Sequence, residues 1–172
     1  MKRLFSIAIA AGSLFLSAAS SSLAADRIIV ATFGDTNNAY EAAKAIKDLK
    51  EAGGTEFKLK TGVMIAKDQN GNVSVLESRG RPLFGTAAGI ATGALIGMIA
   101  GAPGAAMGAA LGATSGLGAD TVNSMLRADF VNSVRLSMHP GTTAVIAEAD
   151  EGSTRGVDDI VARHSGQVHR QG

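Results

Sequence analysis

The chain has 172 residues, 16 Lys and Arg against 15 Asp and Glu, no cysteine, no tryptophan and a single tyrosine. That length suits one domain of ordinary size. The lack of cysteine excludes disulfides, thiolate metal sites and a cysteine-linked lipid anchor. The near-neutral balance argues against nucleic acid, which needs a basic face, and the scarcity of Trp and Tyr leaves almost nothing for an interfacial aromatic belt.

Residues 1–24 follow the pattern of an export signal. Lys2 and Arg3 give a positive start, Leu4 to Leu16 an apolar run, and "SSLA" ending at Ala24 the small residues that a signal peptidase requires. Ser17 to Ser22 is too polar to extend the run toward the ~20 residues of a membrane span. Cleavage after Ala24 is therefore predicted, leaving 14 basic against 15 acidic residues and a single α+β domain over 25–172.

"RIIVATF", Arg27 to Phe33, is β-branched and apolar up to Gly34 and predicts a buried strand. Ala39, Ala42, Ala43, Ile46 and Leu49 then recur at helical spacing, with Asn38 and Glu41 as the expected capping pair and Gly53-Gly54 as the stop. Phe57 to Ala66 and Val73 to Leu76 predict a hairpin closed by "KDQNGN".

From Pro82 to Ala119 there are 38 residues without a charge, mostly Gly and Ala. Beyond them the sequence predicts a helix (Arg127 to Met138), a strand (Thr142 to Ala149) opened by Pro140-Gly141, a short helix (Val157 to His164) and a final strand near Gln167 to Arg170. Without the apolar stretch the order is βαββαβ plus a short C-terminal αβ. That is the order of a ferredoxin-like antiparallel sheet, expected to carry its helices on one face.

Within the uncharged stretch Gly85, Gly89, Gly93, Gly97 and Gly101 are spaced by four, and Gly104, Gly108, Gly112 and Gly116 repeat the interval after "APG". Proline at 103 suits a turn or a first helical residue, so 82–119 is predicted to be an inserted hairpin of two helices turning at Ala102-Pro103. Each interior glycine costs a helix about 1 kcal/mol against alanine. Close packing of a second backbone along the bare stripe offsets that cost, and the four-residue period favours a right-handed crossing of about −40°. Phe84 and Ile96, Ile90 and Met98, and Leu95 and Ile99 point away from the stripe, toward lipid or a neighbouring chain. Leu83 to Gly101 would span about 28 Å as a helix, close to the ~30 Å hydrocarbon core, whereas Gly104 to Gly118 gives only about 22 Å. The second arm is expected to insert only when paired with the first. The expected partners are thus membrane lipid and further copies of the chain.

"GATSGLGAD", residues 112 to 120, imitates a dinucleotide-binding glycine loop, and Tyr40 with Lys44 imitates the Tyr-x-x-x-Lys pair of short-chain dehydrogenases. A dinucleotide loop needs a strand before it, and "PGAAMGAAL" is not one. Tyr40 also precedes the glycines, the reverse of the order in those enzymes. His164 and His169 are five apart across a helix-to-strand joint, which does not stack two imidazoles for zinc. His139 abuts Pro140 at a turn. Asp158 and Asp159 suit the first turn of the last helix. Glu148, Asp150 and Glu151 lack the alternating oxygen ligands of a calcium loop and are expected to form a solvated strand end. No catalytic residue, metal site or cofactor is predicted, and the chain is expected not to be an enzyme.

"AAKAIKDLKEAG", "VMIAKDQNGNVSV", the glycine run from Gly85 to Gly118, "RADFVNSV", "MHPGTTAVIAEAD" and "VDDIVARHSGQVHR", in this order, resemble a bacterial family known as domain of unknown function 1269. The Pro140 to Ala144 segment after the Phe130-bearing helix is the most specific part. The resemblance implies a ferredoxin-like α+β domain with an inserted glycine-zipper hairpin, and association with a membrane. It implies no reaction. The resulting expectation is a non-enzymatic envelope protein, membrane-associated with a periplasm-facing domain, whose hairpin inserts or self-associates. The alternative is a soluble periplasmic oligomer that senses or binds a small ligand.

Overall fold

The computed structural model describes residues 26–52, 56–76, 91–101 and 126–172. In chain order these form β1 (Asp26–Phe33), α1 (Thr36–Glu51), β2 (Phe57–Lys67), β3 (Val73–Val75), α2 (the helical residues 91–101), α3 (Ala128–Ser137), β4 (Thr143–Glu151), α4 (Arg155–Arg163) and β5 (Gln167–Gln171). The fold is a mixed α/β one with a five-stranded sheet of order β3-β2-β4-β1-β5, every neighbour antiparallel.

Strands β1 and β4 lie at the centre, and their sequences explain why. Ile29, Ala31 and Phe33 of β1 share one face with Val145, Ala147 and Ala149 of β4, and this face packs against Ala39, Ala42, Ala43 and Ile46 of α1 and Val157, Ile160 and Val161 of α4. Ile28 and Val30 share the other face with Ala144 and Ile146, and there they meet Leu95, Ile96 and Ile99 of α2 and Phe130, Val131 and Val134 of α3. A strand apolar on both sides must be covered on both sides. The one-sided helix layer expected from the sequence is therefore corrected: two helices cover each face.

Helix α1 begins earlier than the Asn38–Glu41 pair predicted. Asp35 is its N-cap, with Oδ1 accepting from the Asn38 backbone N–H at 2.9 Å and Oδ2 from Asn38 Nδ2 at 2.7 Å. These bonds, the backbone one foremost, hold the Asp35 carboxyl below its ordinary value. In the β2–β3 turn the Asp68 carboxylate collects the backbone N–H groups of Asn70 and Asn72. Strand β2 pairs with β4 from Phe57 to Ala66, with a register shift between Leu59 and Thr61 that leaves Lys60 as an extra residue. Such a bulge bends the strand locally.

Strand β5 is seated close to the core by Gly166. A Cβ there would lie 2.6 Å from the Phe33 ring and 2.7 Å from Val161 Cγ1, so only glycine lets the chain pass between α4 and β5 at this depth.

Candidate functional site

The described part of the glycine-rich stretch is α2. Thr92, Leu95, Ile96 and Ile99, at helical spacing, are all buried, and the three apolar ones belong to the core on the second sheet face. Ala91, Ala94 and Met98 are half-buried at the border of the same cluster. Leu95, Ile96 and Ile99 were expected to meet lipid or a neighbouring chain. They meet the domain's own sheet instead, because Ile28, Val30, Ile65 and Ile146 leave an apolar face that needs large side chains.

Of the predicted packing glycines, Gly93 is buried, Gly97 half-buried and Gly101 exposed. Gly101 has φ 69°, the left-handed conformation that commonly ends a helix. It stands immediately before the Ala102-Pro103 turn predicted from the sequence. Gly85, Gly89, Gly104, Gly108, Gly112 and Gly116 lie outside the described residues, as does most of the predicted hairpin over 82–119. Among the described residues no helix is long and apolar enough to cross a membrane.

The docked position of α2 is fixed by a carboxylate. Glu148 stands opposite Ile28 and Thr61, on the sheet face that α2 covers. Its Oε1 accepts from the Thr92 backbone N–H at 3.0 Å and from Thr92 Oγ1 at 2.7 Å. A carboxylate accepting two donors in a part-buried place directs the helix as well as satisfying it.

The acidic residues at the end of β4 are not the solvated strand end that the sequence predicted. Glu151 is 3 % exposed. It takes both arms of Arg170, with Nε donating to Oε2 at 2.8 Å and an Nη to Oε1 at 3.0 Å, and Arg27 approaches Oε2 at 3.8 Å. Arg170 also pairs with Asp158 of the first α4 turn at 2.7 Å. Burial pushes the Arg170 pKa down, and the hydrogen bonds to Glu151 and Asp158 outweigh it, so the net shift is upward. Asp150 pairs with Lys60, the extra residue of the bulge, at 3.2 Å. This network ties β1, β4, α4 and β5 together.

The histidines stay apart in role. His139 is an exposed residue after α3, His164 is the C-cap of α4, and His169 lies in β5 opposite Val30. The His169 Nε2 is buried with no hydrogen-bond partner among the described residues. Burial lowers its pKa from the ordinary imidazole value of 6.5. The unfolded chain therefore binds a proton at a pH where the folded chain does not. The stability contributed by the neutral ring is fully present above pH 6.5 and is lost as pH falls through the lowered folded value. Urea titrations between about pH 7 and 5 are expected to show this decline in the wild type and to lose its His169 component in His169→Gln. Asp35, Asp68 and Asp129 act lower, losing their contribution below the ordinary carboxyl value of 3.8.

Tyr40 and Lys44 sit on the solvent side of α1, with Tyr40 40 % exposed, and the glycines of the dehydrogenase-like motif lie outside the described residues. Among the described residues no group of three or more His, Cys, Asp or Glu is placed to hold a metal ion. The sequence reading missed the Glu151–Arg170 pair and the Glu148–Thr92 contact. The first joins residues 19 apart and the second residues 56 apart, separations over which a charge pattern carries no signal.

No curated protein and no solved structure matches this chain significantly. A family model described as a protein of unknown function (DUF1269) matches residues 82–171, from before α2 to the end of β5. That match covers more than half of the chain and includes the α2 docking contact, the Glu151–Arg170–Asp158 network and all three histidines. The chain therefore belongs to this family of proteins of unknown function, DUF1269.

Proposed function

We propose that this is a non-enzymatic, membrane-associated envelope protein, exported by residues 1–24, whose 82–119 segment is a glycine-zipper hairpin mediating membrane insertion or self-association. The observation that carries the reading is the division of labour on α2. Its large side chains are spent on the sheet, while the glycine stripe runs from buried Gly93 to exposed Gly101 along a different side of the helix. A stripe without side chains is suited to a second helix at close range. The engagement of half-buried Glu148 and buried Glu151 within the fold supports the non-enzymatic part of the reading.

The core is read as ferredoxin-like. Strands β1, β2, β4 and β5 lie in the order β2-β4-β1-β5, with α1 and α4 packed on one face. In this reading α4, rather than α3, is the second helix of the split βαβ pattern, and β3, α2 and α3 form an insertion that covers the other face.

A soluble periplasmic oligomer, sensing or binding a small ligand, is the second reading. It is favoured by the burial of Leu95, Ile96 and Ile99 against the protein's own sheet, since side chains held there are withdrawn from lipid. Membrane fractionation with successive salt, alkaline carbonate and detergent washes separates the two. Under the first reading the wild type resists carbonate and yields to detergent, and Gly93→Leu plus Gly108→Leu becomes extractable or misassembles. Complete release of both proteins by salt would overturn it in favour of the soluble oligomer.

A further inference from the structure

We propose that the docked position of α2 is one of two alternatives, and that release of the Glu148–Thr92 contact lets α2 exchange the sheet for a lipid surface. This inference rests on the membrane-associated reading given above. Under that reading the large side chains of α2 have two competing places. Leu95, Ile96 and Ile99 are buried in the core on the second sheet face, and side chains held there are not in lipid at the same time. Insertion of the uncharged segment therefore requires α2 to leave the sheet.

The composition of α2 suits both places. From Ala91 to Gly101 it has no charged residue, and Thr92 carries its one polar side chain. That residue is fully buried, and the Glu148 carboxylate accepts from both its backbone N–H and its hydroxyl. The charged half of the contact belongs to β4, so a departing α2 leaves the charge behind. The threonine hydroxyl can then donate to a carbonyl one turn back in its own helix, and α2 takes no unsatisfied side chain into lipid.

The rest of the fold is fastened without α2. Helices α1 and α4 cover the opposite face of the sheet, and the Glu151–Arg170–Asp158 network joins β4, β5 and α4. Helix α3 has its own tie to β5, the Arg127 backbone N–H donating to Gln171 Oε1 at 2.7 Å, and it keeps Phe130, Val131 and Val134 over part of the second face. Undocking of α2 thus uncovers a limited apolar area and leaves the five-stranded sheet intact. In water that exposure is unfavourable and the docked form prevails. A lipid surface shifts the balance by binding the released helix and not the docked one.

Two measurements on the mature chain test this. Native-state amide exchange of the wild type in water is expected to show residues 91–101 opening at least about tenfold more often than β1 and β4, as a separate unit of the fold. Equal opening of α2 and the two strands would mean that α2 leaves only when the domain unfolds, and overturns the proposal. Flotation with neutral phosphatidylcholine vesicles then compares the wild type with Glu148→Gln. This substitution weakens the latch while leaving the sequence of α2, and hence its own affinity for lipid, unchanged, and uncharged vesicles remove any effect of the altered net charge. The bound-to-free ratio is expected to rise about tenfold, the effect of turning hydrogen bonds to a charged acceptor into neutral ones. Equal, measurable binding of both proteins would overturn the latch and leave the membrane reading standing. Absence of binding by both would overturn the membrane reading and this inference with it. The exchange measurement needs no variant, so it decides the separability of α2 even where Glu148→Gln folds poorly.

Discussion

Glu151→Ala is expected to lower the unfolding free energy by about 3–5 kcal/mol, the cost of removing one partner from a buried ion pair. The side chain of Glu151 is fully buried and that of Arg170 is 19 % exposed, so the guanidinium left behind is poorly placed to recover water in place of the lost bond. Arg170 would keep Asp158, which sits nearer the surface, and Arg27 would lose its acidic neighbour. A shift of the urea midpoint at unchanged slope is the measurement. Lys60→Ala provides the contrast. Its pair with Asp150 is half-exposed on the lysine side, and exposed pairs contribute at most about 1 kcal/mol. If the two substitutions cost the same, the Glu151 network is not the clamp between β4, α4 and β5 that its geometry indicates.

Ile96→Ala is expected to cost about 2–5 kcal/mol, with Leu95→Ala in the same range, because each leaves a cavity under α2. Both side chains have no exposed surface, and they share a core cluster with the fully buried Val30, Ile65 and Ile146 of the sheet. Denaturation of the chain in detergent-free buffer measures this directly. The result also bears on function. Had α2 faced lipid, the truncations would scarcely change stability in water and would weaken membrane retention instead. A large loss of stability with unchanged retention would assign the large side chains to the fold and leave membrane or self-association to the glycine stripe. Loss of retention with unchanged stability would reverse that assignment.

The sequence alone determined the elements. Period-two and period-3.6 patterns placed all five strands and the three helices outside the uncharged stretch within a few residues of their observed limits. Gly101, the last described residue of α2, is in the left-handed conformation, and the turn predicted at Ala102-Pro103 lies outside the described residues. These signals are local, so a single sequence carries them. Where an element goes is not local. Leu95, Ile96 and Ile99 make an apolar stripe that suits lipid, another chain or a sheet equally well, and only the second apolar face of β1 and β4, brought together from the two ends of the chain, decides for the sheet. The acidic end of β4 reads as solvated for the same reason: Glu148 and Glu151 have their partners on α2 and β5, and nothing in the intervening residues records that meeting. Composition and periodicity fix which segments must bury a face, whereas the face they bury it against, and which charges are enclosed in doing so, is settled only when distant strands pair.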